Sequence, residues 1–149
     1  MLNSSTVCVD ANLIVRLITG LPDDPVRRIW REWDSTNSTR VAPFLFRYEV
    51  TNAIYRIGRT RRLNLFAIQD LLELALALPI SLDDAPALHG AAVAMAVAHA
   101  QPATYDAHYL ALADKLGIDF YTGDRRLWNA VHHQLPWVHL VTDEPPSPV

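Results

Sequence analysis

Cysteine is almost missing from this chain of 149 residues: Cys8 is the single one. An intramolecular disulfide and a cysteine-built zinc cluster are therefore excluded, and a reducing compartment is expected. Lysine is as scarce, with Lys115 alone among 13 basic residues. Arginine suits bidentate contact with phosphate or carboxylate, although a GC-rich coding sequence produces the same bias. No excess of positive charge exists, the formal net charge being −3. Any nucleic-acid contact must then use a local patch. Apolar runs of membrane-spanning length are missing, and so is a basic segment at the N-terminus. A cytoplasmic protein without membrane contact is the expectation. Repeats and linker-like stretches are absent too.

What remains is an ordinary globular composition, half hydrophobic and 19% charged. The length suits one domain with a sizeable core. Residues 1–143 are expected to form it, and "EPPSPV" (residues 144–149) to be a disordered tail. Cys8 lies in the apolar run "VCV" and reads as core.

Thr6 to Val9 read as a strand, and a helix follows Asp10 as far as Thr19. "GLPDDP" is a turn. A second helix covers Arg27 to Trp33, with Asp23 or Asp24 as cap and Pro25 in its first turn. Arg40 to Ala42 read as a strand. Pro43 then opens a helix with apolar residues at Leu45, Val50, Ala53, Ile54 and Ile57, and Gly58 ends it. Asn64 is placed to cap "LFAIQDLLELALAL", which Pro79 stops. "ISL" is a short strand. Pro86 opens an alanine-rich helix from Ala87 to His99. "QPATY" reads as containing a strand before Asp106, and the next helix is closed by Gly117. "IDFYT" and "WVHLV" are strands around a helix in "GDRRLWNAVHHQ". Strands alternating with helices predict a parallel sheet covered by helices, the α/β class. In such sheets ligands bind outside the carboxyl ends of the strands.

Four acids fall at that edge in this reading. Asp10 ends the first strand, Asp106 starts a helix after the fourth, and Asp124 follows the fifth in "TGD". Glu49 lies in the second turn of the helix after "VAP". Singly, Asp106 and Asp124 can be helix caps and Glu49 a solvated helix residue. Asp10 is harder to dismiss, because it interrupts a strand-like apolar run. Converging carboxylates repel one another and take up protons unless a cation compensates. All-oxygen ligands suit Mg²⁺ or Mn²⁺ better than zinc. The chemistry such a site supports is metal-assisted hydrolysis of a phosphate ester.

The stretches "VDANLIV", "RYEVTNAI", "TYDAHYLALADKLG" and "FYTGD", in that order, resemble the motifs of PIN-domain ribonucleases. They look most like the VapC-like toxins of bacterial and archaeal toxin–antitoxin pairs. The resemblance runs from Val7 to about Val141. It implies a three-layer α/β/α sandwich with a central, mainly parallel sheet of about five strands. It implies one or two Mg²⁺ or Mn²⁺ ions held by Asp10, Glu49, Asp106 and Asp124. Single-stranded RNA cleavage to a 5′-phosphate and 3′-hydroxyl, homodimerisation and inhibition by a co-expressed antitoxin are implied as well. Asn12 matches a small polar position that can orient a carboxylate or a water. Thr122 matches a threonine before the last acid and is placed to hydrogen-bond Asp10. Asn52, three residues after Glu49 on one helix face, is a candidate for similar support. Gly123 and His108 are less usual fillers of their positions. Metal bound chiefly by Asp10, Asp106 and Asp124 would activate water for in-line attack, with Glu49 helping to hold the metal or the water.

Two other readings stay open: a PIN nuclease of RNA maturation without an antitoxin, and a PIN-like module that has lost catalysis. A haloacid-dehalogenase-type phosphatase is rejected, since Asn12 and Ile14 stand where it needs an acid and a Thr or Ser. The six histidines show no metalloprotease spacing, and adjacent His132 and His133 would point to different helix sides. They read as surface or packing residues. Arg59, Arg61 and Arg62 in "GRTRR" form the densest basic patch, and Arg125 and Arg126 follow Asp124. Solvated faces are the default for both groups; phosphate or antitoxin carboxylate contacts are the functional alternative. Trp30 and Trp33 share a helix face and default to core packing, with a partner groove as the alternative.

Overall fold

The β-branched run at the N-terminus forms β1 (Thr6–Val9), and its burial on both faces makes it the axis of the molecule. The computed structural model describes residues 5–142. The expected disordered tail, 144–149, lies outside the described residues. Helix α1 (Ala11–Thr19) and α2 (Pro25–Ser35) follow. Pro25 is at the start of α2, and the Asp24 carboxylate accepts from the Val26 amide, so this cap is the expected one. Next come β2 (Thr39–Pro43), α3 (Leu45–Thr60), α4 (Leu65–Leu76) and β3 (Ile80–Asp83). Asn64 caps α4 by accepting from the Ala67 amide. The chain ends with α5 (Ala87–Ala98), α6 (Tyr105–Leu116), β4 (Asp119–Thr122), α7 (Arg125–Val131) and β5 (Val138–Leu140).

Among the described residues the five strands form one parallel sheet in the order β3-β2-β1-β4-β5. Each parallel pairing needs a crossover, and the helices supply it. On one side α1, α3 and α4 pack together with α2 against α1; α5 and α6 form the other layer, α6 lying on β1, β2 and β4. This is the expected α/β/α sandwich. Residues 109–113 of α6 are all buried, as a helix pressed fully into a core requires. Burying side chains such as Leu110 and Leu112 stabilises the fold by about 1.5–3 kcal/mol each.

Four local expectations need correction. "QPATY" is not a strand. Helix α5 ends in a left-handed turn at Ala100 (φ 49°), closed by hydrogen bonds from Ala100 to Val97 and from Gln101 to Ala96. That closure satisfies the last carbonyls of the helix and sends the chain straight into α6. Gly58 does not end α3, which continues to Thr60. A Cβ on Gly58 would lie 2.4 Å from Ile68 Cγ1, so glycine is there to let α4 approach. Pro43 closes β2 instead of opening α3; it stands opposite Asp83, where a strand end needs no further amide donor. His132 and His133 lie past the end of α7, so their rings pack 3.8 Å apart instead of diverging. Trp30 and Trp33 are buried and meet edge to face, which assigns them to the core.

Candidate active site at the switch point of the sheet

The strand order reverses beside β1: the chain first builds outward through β2 and β3, then returns to place β4 on β1's other flank. A crevice must open there, at the carboxyl ends of β1 and β4. Asp10 follows β1 directly, and Thr122 is the last residue of β4.

Asp10 occupies the N-cap position of α1, yet its side chain makes no capping bond. It turns toward β4, where Thr122 Oγ1 donates to Asp10 Oδ2 at 2.7 Å. The same hydroxyl accepts from the Asp124 amide at 2.9 Å, so one buried threonine aligns two acids. Asn12 adds a second tie: its Nδ2 donates to Asp10 Oδ2 at 3.3 Å, and its Oδ1 accepts from the Gly123 amide. A Cβ on Gly123 would sit 3.2 Å from that Oδ1 and 2.9 Å from Arg16 Nη1. Glycine is the residue that lets this loop close on Asn12.

The other acids stand around this pair. Glu49 is half-buried on α3, and Tyr109 Oη donates to Glu49 Oε1 at 2.8 Å. Tyr109 is fully buried and stacks on Phe120, so its hydroxyl has one fixed position. Asp106 is in the first turn of α6 but is not its cap; that place belongs to Thr104. The helix dipole there favours an ionised carboxylate. Asp124 does cap α7, its Oδ1 accepting from the Leu127 amide at 3.0 Å. Its Oδ2 remains directed outward, 3.8 Å from Arg126 Nη2, which also lies 3.5 Å from Asp106 Oδ2. Arg126 thus spans two acids, and its exposure makes this a weak, displaceable link.

Crowding shows in the electrostatics. Burial pushes Asp10 up to about 7; the Thr122 hydrogen bond opposes this, and Glu49 and Asp106 add repulsion. Glu49 is raised by burial, against the Tyr109 hydrogen bond, and further by Asp106. Asp106 is raised by burial and by Asp124, with Arg126 acting in the opposite sense. Acids that raise one another in this way are a donor set that a divalent cation would relieve. Among the described residues no three His, Cys, Asp or Glu side chains already close into a metal cage. The oxygen-only set fits Mg²⁺ or Mn²⁺ chemically, since these ions take oxygen ligands and retain several waters.

The PIN-domain family profile matches residues 7–132. The chain belongs to the PIN-domain family. The fold also agrees with that of solved structures. A toxin–antitoxin complex from Klebsiella pneumoniae matches at TM-score 0.63 and 15% identity, over 89% of this chain and 95% of that one. VapBC2 from Rickettsia felis, bound to a DNA fragment from its promoter, matches at TM-score 0.64 and 13% identity, over 92% and 98%. PAE2754 from Pyrobaculum aerophilum matches at 0.64 and 23% identity, over 85% and 86%. No significant match was found among curated protein sequences.

Other expected residues are placed differently. Asn52 is exposed on α3, with no side-chain hydrogen bond to Glu49 among the described residues. Arg59, Arg61 and Arg62 sit at the far end of this 16-residue PIN-domain helix, on the order of 16 Å along its axis from Glu49. Arg61 there donates to the Thr19 carbonyl. Arg125 donates to Thr142. Tyr109 stands among apolar residues that read as core; its spacing of three residues from Asp106 is the one sequence sign of its bond to Glu49.

Proposed function

We propose that this PIN-domain protein is a Mg²⁺- or Mn²⁺-dependent endoribonuclease acting on single-stranded RNA, and the toxin of a toxin–antitoxin pair. The observation that carries the nuclease reading is Asp10: a buried carboxylate at the switch point, held by neutral donors and faced by further acids. The toxin reading is supported by neighbours described as toxin–antitoxin complexes. An antitoxin partner, a homodimer, a cytoplasmic location and a single domain over residues 1–143 belong to the same proposal.

Asp10, Asp106 and Asp124 would hold the metal, with Glu49 holding it through water or orienting the attacking water. When bound, the ion would lower the pKa of a coordinated water and neutralise charge that develops on the phosphate. The residues themselves do the rest. Thr122 and Asn12 keep Asp10 Oδ2 occupied and its orientation fixed. Tyr109 leaves one oxygen of Glu49 committed and the other available. Arg126, once displaced from the acids, would be a cation beside them for an RNA phosphate.

The test is to sequence RNA 5′ ends after inducing wild type and Asp10→Asn, with Mn²⁺ binding measured by calorimetry. New 5′-monophosphate ends should appear with wild type and fall by about 10²–10³ in the variant. Absence of both Mn²⁺ binding and new ends would leave the chain a binding module and sink the reading.

A further inference from the structure

Beside the acids lies a cavity of about 350 Å³ that the hydrolytic chemistry does not use. It opens at the same edge of the sheet. Pro43 and Asp83, the last residues of β2 and β3, form part of its wall. It is mainly aromatic and apolar: Phe44, Tyr48, Leu88 and Tyr105 line it. Tyr48 and Tyr105 are 68% and 62% exposed, which leaves their rings open to a ligand. Each is the chain neighbour of an acid of the site, Tyr48 of Glu49 and Tyr105 of Asp106.

The polar lining narrows the occupant. Among the described residues the wall contains Asp83 and Asp84 but no lysine or arginine. A phosphate would find no free cation in this wall, because Lys115 beside it is engaged with Asp83 at 3.4 Å and Asp84 adds a negative charge. A neutral ring with N–H donors would be accepted. His89 and His108 add a fixed edge: His108 Nδ1 lies 2.6 Å from the Thr104 carbonyl, and its Nε2 lies 2.9 Å from His89 Nδ1. A carbonyl only accepts, so Nδ1 of His108 donates, and a neutral His108 must accept from His89. Unpaired bases are typically recognised by stacking on aromatic rings and hydrogen bonding at their edges. A cavity at the small end of the usual 300–1,000 Å³ range for ligand sites (roughly) suits one base.

We propose that this cavity takes one unpaired nucleobase of the RNA strand, flanking the phosphate held over the acids. The base stacks on Tyr105 or Tyr48 and gives its N–H groups to Asp84, since the Asp83 oxygens already accept from the Ala85 amide and from Lys115. The cavity thereby chooses which nucleotide stands next to the cut. The RNA part of this proposal rests on the nuclease reading; occupancy by a free nucleoside does not.

The experiment uses uncharged adenosine, guanosine, cytidine and uridine as probes, followed by saturation-transfer NMR on the full chain. Wild type is compared with Tyr48→Ala, Tyr105→Ala and Tyr105→Phe, and sedimentation gives the mass of each. KM and kcat for cleavage of short RNAs are measured alongside. At least one nucleoside should contact wild type, and each alanine variant should weaken it by about 5- to 150-fold, with Tyr105→Phe restoring most of the loss. In cleavage, KM should rise by more than kcat falls. Nucleoside binding lost in the alanine variants, but with no RNA cut by any protein, would keep the base cavity and remove the nuclease reading. RNA cleavage without nucleoside contact, and with KM unchanged in both alanine variants, would do the reverse. A fall in assembled mass in those variants, with nucleoside binding unaltered, would assign the cavity to a second copy of the chain and overturn the proposal.

Discussion

Arg40 and Asp10 are equally hidden from water, at 6% and 5% exposure, and the molecule treats them in opposite ways. Arg40 has a carboxylate partner in Asp34, lies 4.3 Å over the centroid of the Trp30 ring, and reaches the Trp30 carbonyl at 3.4 Å. Its charge is answered from within the fold. Asp10 receives only neutral donors, from Thr122 and Asn12, and the charges that perturb it are two more carboxylates. A buried charge needs compensation. Where the chain supplies it, the role is structural; where it adds charge of the same sign, the compensation must come from outside.

The sharpest way to break this contrast is pH. In metal-free protein, Asp10 titrates near 7 when folded, against 3.8 for an ordinary carboxyl. The folded state thus binds the proton more tightly. This contribution to stability is complete below about pH 4 and is lost as pH rises through 7, on the order of 4 kcal/mol in all. Glu49 and Asp106, both raised, act in the same direction. Urea melts in chelator between pH 4.5 and 7.5 should show falling stability, and Asp10→Asn should flatten the curve. Added Mn²⁺ should stabilise wild type more at pH 7.5 than at pH 5. A wild-type curve that rises with pH would mean that Asp10 is answered internally after all.

Thr122→Val comes next. It removes the donor to Asp10 and the acceptor for the Asp124 amide while keeping the shape. RNA cleavage should fall by about 10- to 100-fold. Its rise with pH should move to higher pH, since the hydrogen bond that lowers Asp10 is gone. Asp34→Ala probes the other side of the comparison. Its carboxylate is half exposed, so the expected loss is only about 1–2 kcal/mol, read by thermal or urea melts, with cleavage unchanged. Asn52→Ala, on an exposed face, should alter stability by less than about 0.5 kcal/mol and leave cleavage as it is. A larger loss of cleavage would show that Asn52 reaches the site when substrate is present.

Much of the fold was legible because its boundaries are local chemistry. Asp24, Pro25 and Asn64 begin helices by capping geometry that four or five residues suffice to specify. The missing strand at "QPATY" was not legible, because α5 ends on an alanine, not a glycine, in the left-handed region. Gly58 misled for the converse reason: its purpose is contact with Ile68, a residue of the next helix. At the site, Asp10 was visible as an acid breaking an apolar strand, and Thr122 as the residue before "GD". Their junction depends on β4 pairing with β1, which no local pattern encodes. Tyr109 looked like core among "YLALA" because it is core; only its hydroxyl has a second task. Phe44, Tyr48 and Tyr105 come from two distant stretches, and their shared cavity exists only in three dimensions.

The order of the sheet also has a consequence in time. The strand that completes the site is the fourth to be made, yet it lies directly against the first. A nascent chain that has emerged as far as Gly117 already contains Asp10, Glu49 and Asp106. It still lacks the partner on that flank of β1, the hydroxyl that orients Asp10, and Asp124 itself. The four acids cannot be gathered before Asp124, the last of them in the chain, has been made. The flank of β1 where the acids meet stays open until β4 has been made and has paired with it.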